Sequence, residues 1–572
     1  MLRLLIFCLL VAPATFCMLE KTLEKTNVPL PDQAEKIDEK QLQYLLCKAA
    51  ETGDCEAIRK VASELSPHIN IRFLLDQIMI KGPYKGDAPL HVAVRNKQLE
   101  VTRLLKQLGA NMDNTCRSSC GFGFIGNVRY TDDEELIYLT SLHIAAVMQN
   151  PGELIKCLFE CGATLDKKDS AHALTPLHHA TKANNIEAIR ALVHHGANLE
   201  EFDRHGRMPV HIAVYSDEST LSCLKEVGAN IDARIILTDE TPLHQAAHYN
   251  AQNIQCLVRL GACLEAKSNG GCTPLHRAMS NTDNQAVRLL VKLGADINAQ
   301  TASGATPLHR AIDLKDIPKI KLLIALSASL EIADESLRTP LLHAASHATR
   351  PGAIPCLLAA KADHTKIDRN GWTAFLLVAS INDASALAHL YAYGADPSVK
   401  TADRRNAESL TTTANAACCI RLINELEVIF RGPTTEEGPN KQYPITRATP
   451  LIRAIEQGFF PLALLILKDK RTDANLQDTA GNTALHKFAK RNIQNNKEAI
   501  LFARFFLSRK NNDFSLQNDC MQTAEMSARS SANLELLNEF TLIKMKVSIY
   551  ACLRRKKLPA ELCLLIARQV EL

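Results

Sequence analysis

Thr241-Pro242-Leu243-His244-Gln245-Ala246-Ala247 is the stretch that decides the fold, because the chain repeats it. Thr-Pro-Leu-His also reads in full at Thr175–His178, Thr273–His276 and Thr306–His309. Near copies stand at Ala88–His91, Ser141–His143, Met208–His211, Thr339–Leu341 and Thr483–His486. With the Thr position as origin, central starts fall at 175, 208, 241, 273, 306, 339 and 373, which are steps of 33, 33, 32, 33, 33 and 34 residues. Each start is followed by a small-residue pair such as Ala246-Ala247, then by a second apolar segment such as Ala286 to Leu290. The unit closes on Gly-Ala-Asp/Asn, as at Gly294–Asp296, Gly196–Asn198, Gly228–Asn230 and Gly394–Asp396.

Each feature has a mechanical reason. Proline at a helix start loses no hydrogen bond, since that N–H has no intrahelical partner anyway. Threonine just before it caps the helix, the alanine pair lets two helices approach, and glycine takes the left-handed conformation that ends the second helix. On these residues and this step the chain resembles the ankyrin-repeat family. The resemblance implies an all-α solenoid of stacked helix-turn-helix units joined by hairpin loops. Fainter copies extend the array. Asn406–Ser409 and Thr523–Met526 share a pattern, Thr449-Pro450-Leu451 lies 43 residues after Asn406, and Ala49–Asp54 predicts a first unit with its motif position at Tyr44. About fourteen units are expected from residue 42 to about 545, with atypical ends.

The first seventeen residues read differently. Met1-Leu2-Arg3 is a short basic start, Leu4–Ala12 is an apolar run, and Ala12-Pro13-Ala14 offers a cleavage site. This predicts a secretory signal peptide over 1–17, followed by a linker over 18–41. No segment approaches the roughly 20 apolar residues of a membrane span. The 18 cysteines point the other way. Cys157, Cys223, Cys256 and Cys356 share one register, five residues before the Gly position, where they act as small core residues of the second helix. Equivalent positions in stacked units lie about 10 Å apart, too far for a disulfide, which is the pattern of reduced thiols. Export into another cell's interior reconciles the two signals; a cytoplasmic protein is the alternative.

A net charge of +4 spread over 572 residues gives nucleic-acid binding no basic face. Inserts near 66–85, 111–135 and 431–444 break the step. The second holds Gly121-Phe122-Gly123-Phe124-Ile125-Gly126, but a dinucleotide site needs that motif between a strand and a helix, so no cofactor is expected. It also holds Cys116 and Cys120, half a zinc site with no second pair nearby, a local disulfide, or two free thiols. Eight histidines occupy the fourth motif position, from His91 to His486, and a residue needed once per unit is scaffold. His178-His179 and His194-His195 show no acidic or thiol partner at ligand spacing. No metal and no enzyme activity are expected.

The resemblance implies protein partners on a surface built from hairpin tips and first-helix residues. The tips include Arg204, His205, Arg207, Asp239, Glu240, Arg369, Asn370 and Trp372. The helix positions include Lys182, Tyr215, His248, Tyr249, Asp313, Lys490 and Arg491. Trp372 serves either an interface or its own hairpin. The segment 546–572 is not a repeat. Its Leu558-Pro559-Ala560-Glu561-Leu562, followed by Ile566, is similar to the opening of an F-box, which implies capture of a ubiquitin-ligase subunit; the other reading is a helix capping the last repeat.

Overall fold

A computed structural model describes residues 39–63, 65, 70–80, 83–118, 137–347, 352–431, 438–442, 446–491, 497–507 and 516–530. The signal-peptide segment, the Gly121–Gly126 run and the motif at Leu558, Pro559, Glu561, Leu562 and Ile566 lie outside the described residues. The chain divides into two compact units, Met1–Asp296 and Ile297–Leu572. Each is a stack of helix pairs, so the all-α repeat expectation holds. The described strands make one small pair, with Thr115–Ser118 antiparallel to Ile137–Thr140, Cys116 facing Leu139. That pair forms the base of the second insert.

The helices begin where the motif puts them. Pro176–Lys182, Pro209–Ala213, Pro242–Tyr249, Pro274–Ala278 and Pro307–Asp313 all start at the motif proline. The threonine or its substitute is the extended N-cap, for example Thr241 at φ −88°, ψ 166°. Second helices such as Ile186–His194 and Gln285–Lys292 follow, and Gly196 and Gly294 end them at φ 101° and 100°. Second helices bury Leu192, Cys223, Leu257 and Leu290, and the alanine pairs are fully buried between helices. Cys157, Cys223 and Cys256 are buried, Cys356 is half-buried, and the thirteen described cysteines are free. Burial pushes the Cys157 thiol up to about 12, as expected of an inert core thiol.

The fourth-position histidines hold the units together. In eight of them Nδ1 accepts from the N-cap backbone N–H at 3.1–3.3 Å. The Nε2–H then donates to a carbonyl at the next hairpin: His143 to Leu174 at 2.9 Å, His178 to Arg207 at 3.1 Å, His244 to Cys272 at 2.8 Å, His309 to Arg338 at 3.0 Å. Each ring thus closes one helix and tethers the following hairpin. Both bonds require the neutral imidazole. Burial lowers the histidine pKa, to about 4 for His91, His178, His211 and His244 and about 3 for His143.

Two boundaries differ from the sequence reading. The first described helix is Glu39–Thr52, so Tyr44 lies inside it and is not an N-cap, and residues 39–41 are helical rather than linker. No proline or capping residue occupies Tyr44, and the buried Leu42, Leu45 and Leu46 continue the apolar face upstream of it. Within the first insert, Asn70 accepts from Arg72 N–H and caps the short helix Ile71–Asp76, which buries Leu74 and Leu75.

The second unit departs from strict nearest-neighbour stacking. Its helix Ala384–Ala392 packs on Ala414–Arg431 and also on Phe460–Lys468. His389 Nε2 reaches Glu498 Oε1 at 2.9 Å. Ala414–Arg431 is 18 residues long, twice the usual second helix, and runs up to the third insert.

Candidate protein-binding surface

First helices and hairpin bases of neighbouring units meet in a fixed register. A side chain seven residues after one motif threonine meets the side chain four residues after the next. Asp313 Oδ1 accepts from His343 Nε2 at 2.8 Å, and Glu456 Oε1 pairs with Lys487 Nζ at 2.6 Å. In the first unit the same register sets Arg277 beside His248, whose pKa is lowered by burial and then by that guanidinium charge.

This register separates the predicted surface residues into two groups. Arg204, Tyr215, Tyr249, Arg369 and Lys490 are exposed. Tyr215 and Tyr249 are 48% and 59% exposed, with ring centroids 5.7 Å apart. His205 and Asn370 are exposed as well, and the others are half-buried or buried. Arg207 Nε donates to Asp203 Oδ2 at 2.9 Å, bracing its own hairpin. Asp239 lies 3.8 Å from Arg234, and Asp313 belongs to the pair with His343. Trp372 is half-buried, its backbone N–H donating to Asp368 Oδ1 at 3.0 Å, with Asp368 N–H returning to its carbonyl at 3.0 Å. His248 and Lys182 are half-buried.

Glu240 and Arg491 differ from the expectation of open positions. Glu240 is buried, and its Oε1 pairs at 2.7 Å with Arg277 from the next unit. Arg491 turns its guanidinium back to donate to the Ile455 and Glu456 carbonyls, satisfying the end of the preceding first helix. His179 also differs: Asp169, ten residues upstream, accepts from its Nε2 at 2.9 Å, both side chains fully buried. Hydrogen bonds from His179 and from the His172 and Leu174 N–H groups hold that carboxyl down to about 2, against the opposing effect of burial. The hairpin between them brings the pair together, which ligand spacing along the chain does not report. Among the described residues no His/Cys/Asp/Glu group has metal-holding geometry.

Sequence reasoning missed the apolar hairpin positions. Ile236 and Leu237 are 53% and 72% exposed, and Phe202, 43% exposed, lies under Lys168 Nζ at 4.3 Å. Their signal was available as apolar residues inside a turn, where the repeat needs none. Among the described residues no helix is long and apolar enough to cross a membrane.

The family model described as ankyrin repeat matches residues 85–117, and the model described as three copies of ankyrin repeats matches 142–235 and 223–301. The chain carries ankyrin repeats over these residues. It is similar to a putative ankyrin repeat protein of Fowlpox virus (strain NVSL), 26% identical over 149 residues, which is 26% of this chain and 30% of that protein. It is 34% identical over 79 residues to the E3 ubiquitin-protein ligase KEG of Arabidopsis thaliana, covering 14% of this chain and 5% of the ligase. Ankyrin repeat and SOCS box protein 6 of Homo sapiens is 30% identical over 109 residues, 18% of this chain and 26% of that protein. The chain thus spans under a third of the length of each of these relatives.

Proposed function

We propose that this chain is a non-enzymatic scaffold that binds partner proteins through the first-helix and hairpin side of its repeats. The observation that carries this is the exposed pair Tyr215–Tyr249. Interior duties are already met by buried leucine, alanine and histidine, so two large rings left in solvent serve no packing need. Arg204, Arg369 and Lys490 extend the same side within their own units. Affinity capture with the full chain tests it. The double variant Tyr215→Ala/Tyr249→Ala should lose the captured partner while circular dichroism stays unchanged. Retention of every partner by that variant would remove the reading.

A second reading is favoured by the relative that is an E3 ubiquitin-protein ligase and by the SOCS box relative. In it the repeats choose a target while Leu558, Pro559, Glu561, Leu562 and Ile566 dock a ligase subunit. Deleting residues 547–572 should then abolish ligase capture and spare target capture. Loss of thermal stability without loss of a partner would mark the segment as a cap instead. Export belongs to the same proposal. The basic start and apolar run of residues 1–17 support it, and free core cysteines suit a reducing destination. Sequencing of the mature N-terminus should begin after Ala14 or Cys17; recovery of only a Met1 species would end the export reading.

A further inference from the structure

A histidine, lysine or arginine that stands buried or half-buried four residues after the motif threonine has an acidic partner, supplied by the preceding first helix or by a hairpin. His179 has Asp169, Arg277 has Glu240, His343 has Asp313, and Lys487 has Glu456 and Asp478. Gln245 occupies that position in the unit at Thr241. It is only 6% exposed, and its Oε1 is buried without a hydrogen-bond partner. The side chain that the register sets against it is Tyr215, whose hydroxyl makes no hydrogen bond to that oxygen. Tyr249, one helical turn after Gln245, brings its ring to 5.7 Å from Tyr215 at 49°, and the His248 ring stands edge-on to Tyr249 at 4.1 Å. The helix Pro242–Tyr249 thus carries the exposed Tyr249 ring together with two buried atoms that have no hydrogen-bond partner, Gln245 Oε1 and His248 Nδ1.

The charges around this cluster are already matched. Glu240 faces Arg277, Asp203 faces Arg207, and Asp239 faces Arg234. A cation or an anion entering here would be desolvated without a free counter-charge, which costs more than it returns. A neutral group with one N–H donor and a flat apolar body meets both needs. Indole is such a group: its Nε1–H donates and nothing on it accepts, so no new polar atom is stranded. Its ring also packs favourably on tyrosine in tilted or offset geometry.

We propose that Tyr215, Tyr249 and Gln245 form the receptor for a tryptophan side chain presented by the protein partner, with the indole N–H donating to Gln245 Oε1. This rests on the scaffold reading and names the chemistry it recognises. The acceptor is buried in the free chain, so entry requires a rotamer change among the side chains over it, a motion common at interfaces.

Ligand-observed NMR titration of the full chain with indole, 1-methylindole and benzofuran tests it. Indole should bind about fivefold more tightly than 1-methylindole, the worth of one neutral hydrogen bond. Benzofuran, which lacks a donor, should follow 1-methylindole. Gln245→Leu should bring the three probes level, and Tyr249→Ala should weaken all three. If Gln245→Leu fails to fold by circular dichroism, Gln245→Met serves in its place, and the wild-type ranking decides on its own in either case. Equal binding of the three probes to the wild-type chain, a preference for benzofuran, or no saturable binding at all would each overturn the proposal. Those outcomes leave the scaffold reading standing wherever the full chain still captures a partner through the tyrosine pair; loss of that capture is what sinks the scaffold reading.

Discussion

The two units solve the same stacking problem with different bonds. In the first, His91, His143, His178, His211 and His244 each bracket an N-cap N–H and a neighbouring hairpin carbonyl. In the second, the fourth motif position is often apolar: Leu342 and Leu376 are buried, as is Ile452. There the threonine alone caps, Thr339 and Thr449 accepting from those N–H groups at 3.4 and 3.3 Å. The tether to the next hairpin is exchanged for hydrophobic packing, which culminates in the ring cluster Phe460, Phe488, Phe502 and Phe506, with centroids 5.0–5.8 Å apart. The histidine version is directional and keeps units in regular nearest-neighbour order. The apolar version is non-directional and accommodates Ala384–Ala392 packing on the more distant Phe460–Lys468.

Acid should expose this difference most strongly. The bracketing histidines of the first unit have pKa values lowered from 6.5 to about 4 or about 3. A base whose folded pKa is depressed binds more protons when unfolded. The stability it adds is fully present above pH 6.5 and is lost as pH falls toward 4. Each such group contributes a slope approaching about 1.4 kcal/mol per pH unit, and five of them act together. Hydrogen exchange at pH 5 should show residues 88–296 opening before residues 297–530, whose bracketing histidines are His309 and His486. Simultaneous opening would erase the distinction.

Next in size is the ring cluster. Phe502→Ala should cost about 3–5 kcal/mol and lower only the melting step of the second unit. An equal shift of both melting steps would show that the two do not unfold as separate bodies. His178→Ala should cost about 2–4 kcal/mol in the first unit, because it strands the buried Thr175 N–H and the Arg207 carbonyl. Its cost should shrink as pH falls from 6.5 toward 4, where the unfolded wild-type chain binds a proton that the folded ring does not; a pH-independent cost would assign it to lost volume instead.

The smallest effect sharpens the comparison at the helix ends. Where the first unit has Gly196 and Gly228, the second has Ser327 and Lys361 in the same left-handed conformation, at φ 66° and 69°. Lys361→Gly should stabilise the second unit by about 1 kcal/mol, read as a shift in its denaturant midpoint. No gain, or a loss, would mean that the lysine side chain contributes more than its backbone strain costs.

Much of this was legible along the chain. Pro242 and Thr241 announce a helix start, Gly196 a helix end, and His244 a structural ring, because each acts on backbone within a few residues or one unit. Tyr215 and Tyr249 were also readable as surface positions from their place after the alanine pair. Glu240 was not readable as buried, since what covers it is Arg277, supplied by the next unit. Arg491 looked like a free cation, and only the approach of the Ile455 carbonyl shows it spent. Asp169 and His179 stand ten residues apart and meet because the hairpin between them reverses.

The sequence by itself determined the repeat, its period, its capping chemistry and the structural part of its histidines, since these follow from local backbone geometry repeated many times. Tertiary structure alone decided which polar side chains are matched and which, like Gln245, are left with a buried acceptor. It also decided that Ala384–Ala392 meets Phe460–Lys468. Those outcomes depend on distances between units, and a periodic sequence fixes the register of neighbours without fixing what fills each junction.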